Sequence, residues 1–353
     1  MSARLDDGSR TVLDLSDIKT EIDFNYVKTR LTPPPRFVSA TLDNYTPDEQ
    51  FASQQAAKAY LKEFVGRFNK QSASPLGTLF RFVGTGAAKG IYLDGGFGVG
   101  KTHLLAASYH AFQSSAKIYL SFTELMYLIG LLGLERCAGE MSRNKLICID
   151  EFELDDPGNT TMSLGFLQRV FAAHVRVIAT SNTPPAKLGE GRFAAQNFQR
   201  EIAALSEDFH VLRIDGNDYR EKHIKEIQTT SSTWNFANVY EKFLDYQPKG
   251  SGKKVYFSES ELLAWLKKLH PMHYLDIAEK LDAIFIDGLG QLADQFDALR
   301  FVYFIDKLYD DKVVIFASSK VKLESLFPDE FYKSAYSKKY LRCLSRLKEI
   351  CGA

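Results

Sequence analysis

Apolar residues recur along the chain in two spacings that predict two kinds of element. Between residues 54 and 68 they lie three or four positions apart, as on one face of an amphipathic helix. Elsewhere they form short unbroken runs, which is typical of strands buried on both faces. Five such runs predict strands at 90–94, 117–120, 146–149, 175–179 and 211–214. Helical stretches alternate with these runs, so the pattern predicts a mostly parallel sheet flanked by helices.

The pattern changes near residue 229, where polar and turn-forming residues accumulate. Three further apolar runs alternate with helical stretches after that point, at 255–257, 284–286 and 313–316. The run at 284–286 is followed by Asp287, and we interpret it as a buried strand with a polar end. Residues 338–350 predict a closing helix. No internal repeat is visible in the sequence.

These patterns divide the chain into three predicted parts. Residues 1–40, with three consecutive prolines at 33–35, are expected to form an N-terminal extended segment. Residues 41–228 form the α/β core. Residues 229–353 form a smaller C-terminal α/β subdomain that ends in a helix.

Composition and charge exclude several classes of protein. The chain has 353 residues, of which 44 are Lys or Arg and 44 are Asp or Glu, so its net charge is +0. A nucleic-acid partner held by a strongly basic surface is therefore not expected. No apolar run approaches the ~20 residues of a membrane-spanning helix, and no targeting segment is apparent. The four cysteines lack metal-ligand spacing, and we expect reduced thiols in a cytoplasmic protein.

A glycine-rich segment follows the first predicted strand and opens a helix. It consists of Gly95, Gly96, Phe97, Gly98, Val99, Gly100, Lys101 and Thr102. It fits the pattern GxxxxGK[ST], in which backbone N–H groups and a helix N-terminus surround a phosphate. Lys101 is expected to reach the β- and γ-phosphates of ATP, and the Thr102 hydroxyl to bind Mg²⁺. His103 comes next and is expected to pack behind the loop.

Two other predicted strands end in polar residues. The strand at 146–149 is followed by Asp150, expected to hold Mg²⁺ directly or through water, and by Glu151, expected to polarise the attacking water. The adjacent glutamate favours an ATPase over a kinase or a GTPase. The strand at 175–179 leads to Asn182, which either positions the lytic water or contacts the γ-phosphate. Alternatively, Asn182 only caps the turn before two prolines.

These motifs together resemble a known family. Gly-Gly-Phe-Gly-Val-Gly-Lys-Thr-His-Leu-Leu at 95–105, Ile-Asp-Glu-Phe at 149–152 and Ala-Thr-Ser-Asn-Thr-Pro-Pro at 179–185 resemble the ZapE family of AAA+ ATPases. This family comprises a bacterial cell-division ATPase and its mitochondrial relatives. More specific matches are Pro-Pro-Pro-Arg-Phe at 33–37, Asp-Tyr-Arg at 218–220 and Arg-Cys-Leu-Ser-Arg-Leu at 342–347.

The resemblance implies an AAA+-type P-loop fold that hydrolyses ATP with Mg²⁺. It further implies a protein partner, such as the tubulin-like ring protein FtsZ or other division proteins, and a place at the division site. A homo-oligomer, at least a transient one, is expected. The three strand-like runs after residue 255 depart from the helical lid that is usual in AAA+ proteins.

The arginine finger is less clearly marked in this sequence. Many family members carry Gly-Leu-Gln-Arg shortly after the Pro-Pro, whereas residues 191–195 read Gly-Arg-Phe-Ala-Ala. Arg192 and Arg200 are the candidates for a finger, a residue that contributes a factor of about 10³–10⁵ in rate. Either can instead be a surface arginine paired with Glu190 or Glu201.

Two further arginines have alternative interpretations. Arg346 is either a second sensor that reaches the γ-phosphate or part of a solvated helix face. Arg220 is interpreted as structural, bonded to Asp218 or to a nearby carbonyl.

Two other functions are compatible with these motifs. A nucleotide-gated scaffold would bind ATP but turn it over poorly, and slow turnover would distinguish it. A helicase-loader-like ATPase would require a DNA-binding module. Neither an appended helix-turn-helix nor a net basic charge is present in the sequence.

Overall fold

The computed structural model describes residues 12–13, 24–73, 89–96, 98–154, 157–184, 207–217, 234, 236–249 and 252–351. The chain divides into two compact units. We call residues 25–222 the core unit, and residues 1–24 together with 223–353 the C-terminal unit. Each unit has its own parallel sheet.

The core unit is built around five parallel strands. They are β1 (Gly90–Gly95), β2 (Lys117–Ser121), β3 (Leu146–Asp150), β4 (Arg176–Ser181) and β5 (Phe209–Ile214). The helices described over the same part of the chain are α1 (Phe24–Arg30), α2 (Ala52–Ala73), α3 (Lys101–Ala111), α4 (Phe122–Leu132), α5 (Leu134–Met141) and α6 (Pro157–Ala172). The strand order is β2-β3-β4-β1-β5, and every pair is parallel.

The predicted sheet is therefore confirmed, including all five strands. The inner strand β3 is buried at every residue, as expected for a strand covered on both faces, whereas β5 at the edge of the sheet is partly exposed. Parallel pairing brings the carboxyl ends of the strands to one edge, where Gly95, Asp150 and Ser181 end β1, β3 and β4. Residues 24–30, which the sequence assigned to an extended segment, form a helix instead.

The C-terminal unit contains the predicted smaller α/β subdomain. Its elements are α7 (Val239–Asp245), β6 (Lys253–Ser258), α8 (Glu259–Lys268), α9 (Tyr274–Ala278), β7 (Leu281–Leu289), α10 (Gln295–Asp310), β8 (Val314–Ser319) and α11 (Ser337–Cys351). The strand order is β6-β7-β8, all parallel. β7 contains the apolar run before Asp287, as predicted, and Ile284, Phe285 and Ile286 are buried.

The C-terminal unit repeats the core unit from α3 to β4. In both, a helix leads into three adjacent parallel strands that are joined by helices: β2, β3 and β4 in the core unit, and β6, β7 and β8 in the C-terminal unit. The place of β1 beside β4 is taken by Trp234 beside β8. Tyr92 pairs with Ala179 in the core unit, and Trp234 pairs with Ala317 in the C-terminal unit, both in parallel. The expectation of no internal repeat was therefore wrong.

Details of the side-chain contacts repeat as well. Lys117 at the start of β2 donates to two main-chain carbonyls near the end of α3, at 2.7 Å each. Lys254 in β6 donates to three carbonyls around the end of α7, at 2.6 to 3.2 Å. β2 and β6 then end in Ser121 and Ser258, each of which forms a capping box with the glutamate three positions later.

Residue types agree at part of the repeat, such as Lys117 and Lys254 or Ser121 and Ser258, but they differ elsewhere, which hid the repeat from sequence analysis. His174 and Lys312, for example, occupy the same turn before β4 and β8, with φ of 60° and 59°. Backbone conformation and hydrogen bonding are shared where residue identity is not. Within the described residues, no helix combines the length and apolar character needed to cross a membrane.

Candidate functional site

The glycine-rich segment joins β1 to α3, as the pattern requires. Gly98 and Gly100 have φ of 72° and 87°, in the left-handed region that favours glycine. A Cβ atom on Gly100 would also lie 2.6 Å from the ring of Tyr45. Only a residue without a side chain therefore fits at the N-terminus of α3. Phe97 lies outside the described residues.

The segment before α2 packs against this loop. The Tyr45 hydroxyl donates to the carbonyl of Val99 at 3.0 Å, in a buried position. His103 Nε2 lies 2.9 Å from Asn44 Oδ1 and 3.2 Å from the Thr41 carbonyl. His103 is thus held by residues 41–45, behind the loop. These contacts fix the backbone of the loop from the side of the N-terminal segment.

Lys101 is buried, with 8% of its surface exposed. Its Nζ donates to the carbonyls of Gly95 and Gly96, at 2.9 and 2.5 Å, and to Asn182 Oδ1 at 2.8 Å. These acceptors are neutral oxygens, so they solvate the ammonium group without neutralising its charge. The contact joins the first and third predicted motifs across the adjacent strands β1 and β4.

Asp150 receives hydrogen bonds from three hydroxyls. Thr102 Oγ1 donates to Oδ1 at 3.2 Å, Thr180 Oγ1 to Oδ1 at 2.5 Å, and the Tyr119 hydroxyl to Oδ2 at 3.0 Å. Burial, followed by the charge of neighbouring Glu151, raises the pKa of Asp150, and the three hydrogen bonds oppose that shift. Because hydroxyl and carboxylate oxygens are ligands that Mg²⁺ prefers, Thr102 and Asp150 fit this ion.

Glu151 directly follows β3 in a conformation that is rare for a residue with a side chain. Its φ is 57°, and its N–H donates to Thr180 Oγ1 at 2.9 Å. A left-handed backbone at a non-glycine residue costs of order 1–3 kcal/mol, and such residues cluster at functional sites. After this turn the chain stays beside β4, because the N–H of Phe152 donates to the carbonyl of Thr180 at 2.7 Å.

Asn182 connects the lysine to an acidic residue that sequence analysis missed. Its Oδ1 accepts from Lys101, and its Nδ2 donates to Glu153 Oε1 at 3.2 Å. Glu153 is 7% exposed. Its position two residues after Glu151 was only a weak indication that it belongs to the site, because the tertiary fold alone places it beside Asn182. The interpretation of Asn182 as a cap of the following turn does not account for these two contacts.

The structure describes one of the four arginines singled out in the sequence. Arg192, Arg200 and Arg220 fall outside the described residues. Arg346 is buried in the C-terminal unit, where it pairs with Asp306 and its guanidinium lies 5.0 Å from the ring centre of Tyr309. Its interpretation as part of a solvated helix face was therefore wrong, and its use as a second sensor stays a prediction.

Similarity to solved structures is limited. The replication initiator DnaA bound to AMPPCP and single-stranded DNA matches at a TM-score of 0.39 and 18% identity, over 54% of each chain. The DnaC helicase loader matches at a TM-score of 0.39 and 19% identity, over 51% of this chain and 99% of that one.

Similarity to protein sequences extends further along the chain. The cell division protein ZapE of Escherichia coli is 25% identical over 295 residues, which is 74% of this chain and 78% of that protein. An uncharacterized protein of Schizosaccharomyces pombe is 23% identical over 332 residues, covering 75% and 73% of the two chains. The AFG1-like ATPase family model matches residues 31–352. The chain therefore belongs to the AFG1-like ATPases, a family of P-loop enzymes of the AAA+ class.

Proposed function

We propose that the core unit hydrolyses ATP in a Mg²⁺-dependent reaction and that turnover remodels a protein partner. The observation that carries this proposal is the meeting of three motifs at one sheet edge. Lys101 contacts Asn182, and Thr102 contacts Asp150, so the glycine-rich loop and two strand ends form one site. Membership of an ATPase family supports the same reaction.

Each residue has a distinct role in this proposal. The loop and Lys101 bind the β- and γ-phosphates, and Thr102 and Asp150 hold Mg²⁺. The ion, when bound, neutralises charge that develops on the phosphate oxygens. Glu151 accepts a proton from the attacking water, and Asn182 orients that water or the γ-phosphate. Gly95, Gly96, Phe97, Gly98, Val99 and Gly100 supply the backbone of the phosphate cradle.

The site is proposed to be completed by a second copy of the chain. Arg192 and Arg200 are the candidates for the arginine finger that such a copy would contribute. If one of them is the finger, its replacement by alanine lowers kcat by about 10³–10⁵-fold, whereas the kcat of the other variant stays close to that of the parent protein. Equal and mild effects of Arg192→Ala and Arg200→Ala would exclude both.

The partner is proposed to be a division protein such as the FtsZ ring, with the ATPase in the cytoplasm at the division site. The relative named ZapE is a cell division protein, and this supports the assignment. The test is sedimentation of assembled FtsZ with the ATPase, in ATP and in a non-hydrolysable analogue. A change in the pelleted fraction that requires hydrolysis is expected, and no change in either nucleotide would exclude this partner.

The first experiment on the enzyme itself is ATP hydrolysis as a function of protein concentration, with Mg²⁺ and with excess chelator. Specific activity that rises with concentration and disappears with the chelator supports a site shared between copies. Flat activity contradicts the shared site but leaves the reaction intact. Binding of ATP without turnover would instead support the nucleotide-gated scaffold.

A further inference from the structure

The side-chain amide of Asn182 is hydrogen-bonded to Glu153 through its nitrogen and to Lys101 through its oxygen. Asn182 Nδ2 donates to the carboxylate of Glu153 at 3.2 Å, and Asn182 Oδ1 accepts from the ammonium group of Lys101 at 2.8 Å. A carboxylate only accepts hydrogen bonds and an ammonium group only donates them. The two charged neighbours therefore determine which end of the amide faces which side.

The charge of Glu153 excludes a simple contribution to nucleotide affinity. Glu153 is buried and lies one side chain away from the lysine that is proposed to bind phosphate. A buried carboxylate at that place repels a triphosphate, because the two negative charges are poorly screened there. A role in orientation accounts for the residue where a role in affinity does not.

The C-terminal unit provides an internal control for this interpretation. Asp287 ends the apolar part of β7 as Asp150 ends β3. The Tyr256 hydroxyl donates to Asp287 Oδ2 at 2.9 Å, and Ser318 Oγ donates to Oδ1 at 2.5 Å. The N–H of Gly288, whose φ is 71°, donates to Ser318 Oγ at 2.7 Å. Tyr119, Asp150, Thr180 and Glu151 make the same contacts in the core unit.

The pair of Glu153 and Asn182, by contrast, has no counterpart among the described residues of the C-terminal unit. Counting from the matched aspartates and hydroxyls, Gly290 stands at the place of Glu153 and Lys320 at the place of Asn182. The C-terminal unit also has no GxxxxGK[ST] pattern in its sequence. The tyrosine, aspartate and hydroxyl contacts thus recur without a phosphate loop. Within the part of the chain that the structure describes, the Glu153–Asn182 pair is confined to the unit that has such a loop.

We infer that Glu153 is a positioning residue for ATP hydrolysis, which it serves by orienting the amide of Asn182. This inference rests on the proposed ATPase site of the core unit. One hydrogen of Asn182 Nδ2 is held by Glu153, and the second can be donated to a phosphate oxygen or to the lytic water. Asn182 Oδ1 stays on the side of Lys101. Without the carboxylate, the amide is held by Lys101 alone and adopts several orientations, of which only some are productive.

The test compares Glu153→Ala and Glu153→Gln with the parent in full-length protein. Glu153→Ala is expected to lower kcat by about 10- to 100-fold while the Kd for ATP stays unchanged or tightens, since a negative charge is removed. Glu153→Gln retains an acceptor oxygen and is expected to recover most of kcat. Glu259→Ala is the matched control, because Glu259 accepts from the N–H of Gly290 at the corresponding edge of the second sheet. Its kcat should equal that of the parent.

A double variant separates positioning from general stability. If Glu153 acts through Asn182, then Glu153→Ala lowers kcat no further in an Asn182→Ala background. Three outcomes would overturn the inference. One is that the losses of kcat multiply in the double variant, another is that Glu153→Gln lowers both kcat and the melting temperature, and the third is a normal kcat in Glu153→Ala. A parent protein that neither binds nor hydrolyses ATP would instead overturn the proposed function, and the positioning role with it.

Discussion

The two units of this chain share a strand-helix order but differ at the edge of the sheet where a nucleotide would bind. In the core unit, Lys101 and Thr102 reach from the glycine-rich loop to the ends of β3 and β4. In the C-terminal unit, the corresponding stretch between Trp234 and α7 contains four residues and no phosphate loop. The comparison separates contacts that support the fold from contacts that serve chemistry.

The aspartate at the strand end illustrates this separation. Asp150 and Asp287 each accept from a tyrosine on the preceding strand and from a hydroxyl on the following strand. A carboxylate with two hydroxyl donors, buried at Asp150 and half-buried at Asp287, therefore joins three strands in both units. Asp150 differs in one contact, the hydroxyl of Thr102, and this contact belongs to the proposed metal site.

The largest expected effect is the loss of nucleotide binding on removal of the loop lysine. Lys101→Ala should weaken ATP binding by more than about 100-fold, because it removes a buried positive charge that faces the phosphates. Lys320→Ala is the matched control, since Lys320 occupies the place of Asn182 in the repeat and is exposed. Titration with a fluorescent ATP analogue measures both, and equal affinities would show that the loop does not bind phosphate.

The next effect is a loss of turnover without a loss of binding. Glu151→Gln should retain ATP binding and lower kcat by about 10²–10⁴-fold, because the amide cannot accept the proton of the attacking water. Phosphate release and nucleotide titration measure the two quantities on the same sample. Turnover at the parent rate would exclude Glu151 as the general base.

A smaller effect is expected at the matching aspartate of the C-terminal unit. Asp287→Ala leaves the hydroxyls of the half-buried Tyr256 and Ser318 without this acceptor, which costs about 0.5–1.5 kcal/mol of folding free energy. The kcat per folded molecule should not change. Chemical denaturation measures the stability, and a selective loss of kcat in a fully folded variant would show that Asp287 has a part in catalysis.

The smallest effect concerns the pH dependence of stability without nucleotide or metal. The pKa of Asp150 is raised in the folded protein, chiefly by burial and then by Glu151. The folded state therefore binds this proton more tightly than the unfolded state does. Stability should fall as pH rises from the ordinary carboxyl range, near 3.8, through the raised pKa. Asp150→Asn should lack this component, so the difference in melting temperature between variant and parent should grow with pH. A constant difference would contradict the shift.

The parts that could be predicted from the sequence depend on neighbours along the chain. The glycines at 98 and 100 permit the left-handed backbone that the phosphate loop adopts. The apolar run of β3, followed by two carboxylates, indicates a buried strand that ends at a polar edge. Each of these two signals spans only a few consecutive residues. Glu153 could not be recognised in this way, because its partner Asn182 lies 29 positions further along the chain.

The pairing of Arg346 with Asp306 is a second case, since the two residues lie on α11 and α10 and meet only when these helices pack. By itself the sequence determined the fold class, the phosphate loop and the strand-end residues, because backbone preferences and hydrophobic periodicity are local properties. Only the tertiary structure decided which polar side chains share hydrogen bonds. It also showed that β2, β3 and β4 of the core unit have counterparts in β6, β7 and β8 of the C-terminal unit. Parallel pairing brings together strand ends that are distant in sequence. The repeat shares backbone conformation and contacts even at positions where the residue types differ, such as His174 and Lys312.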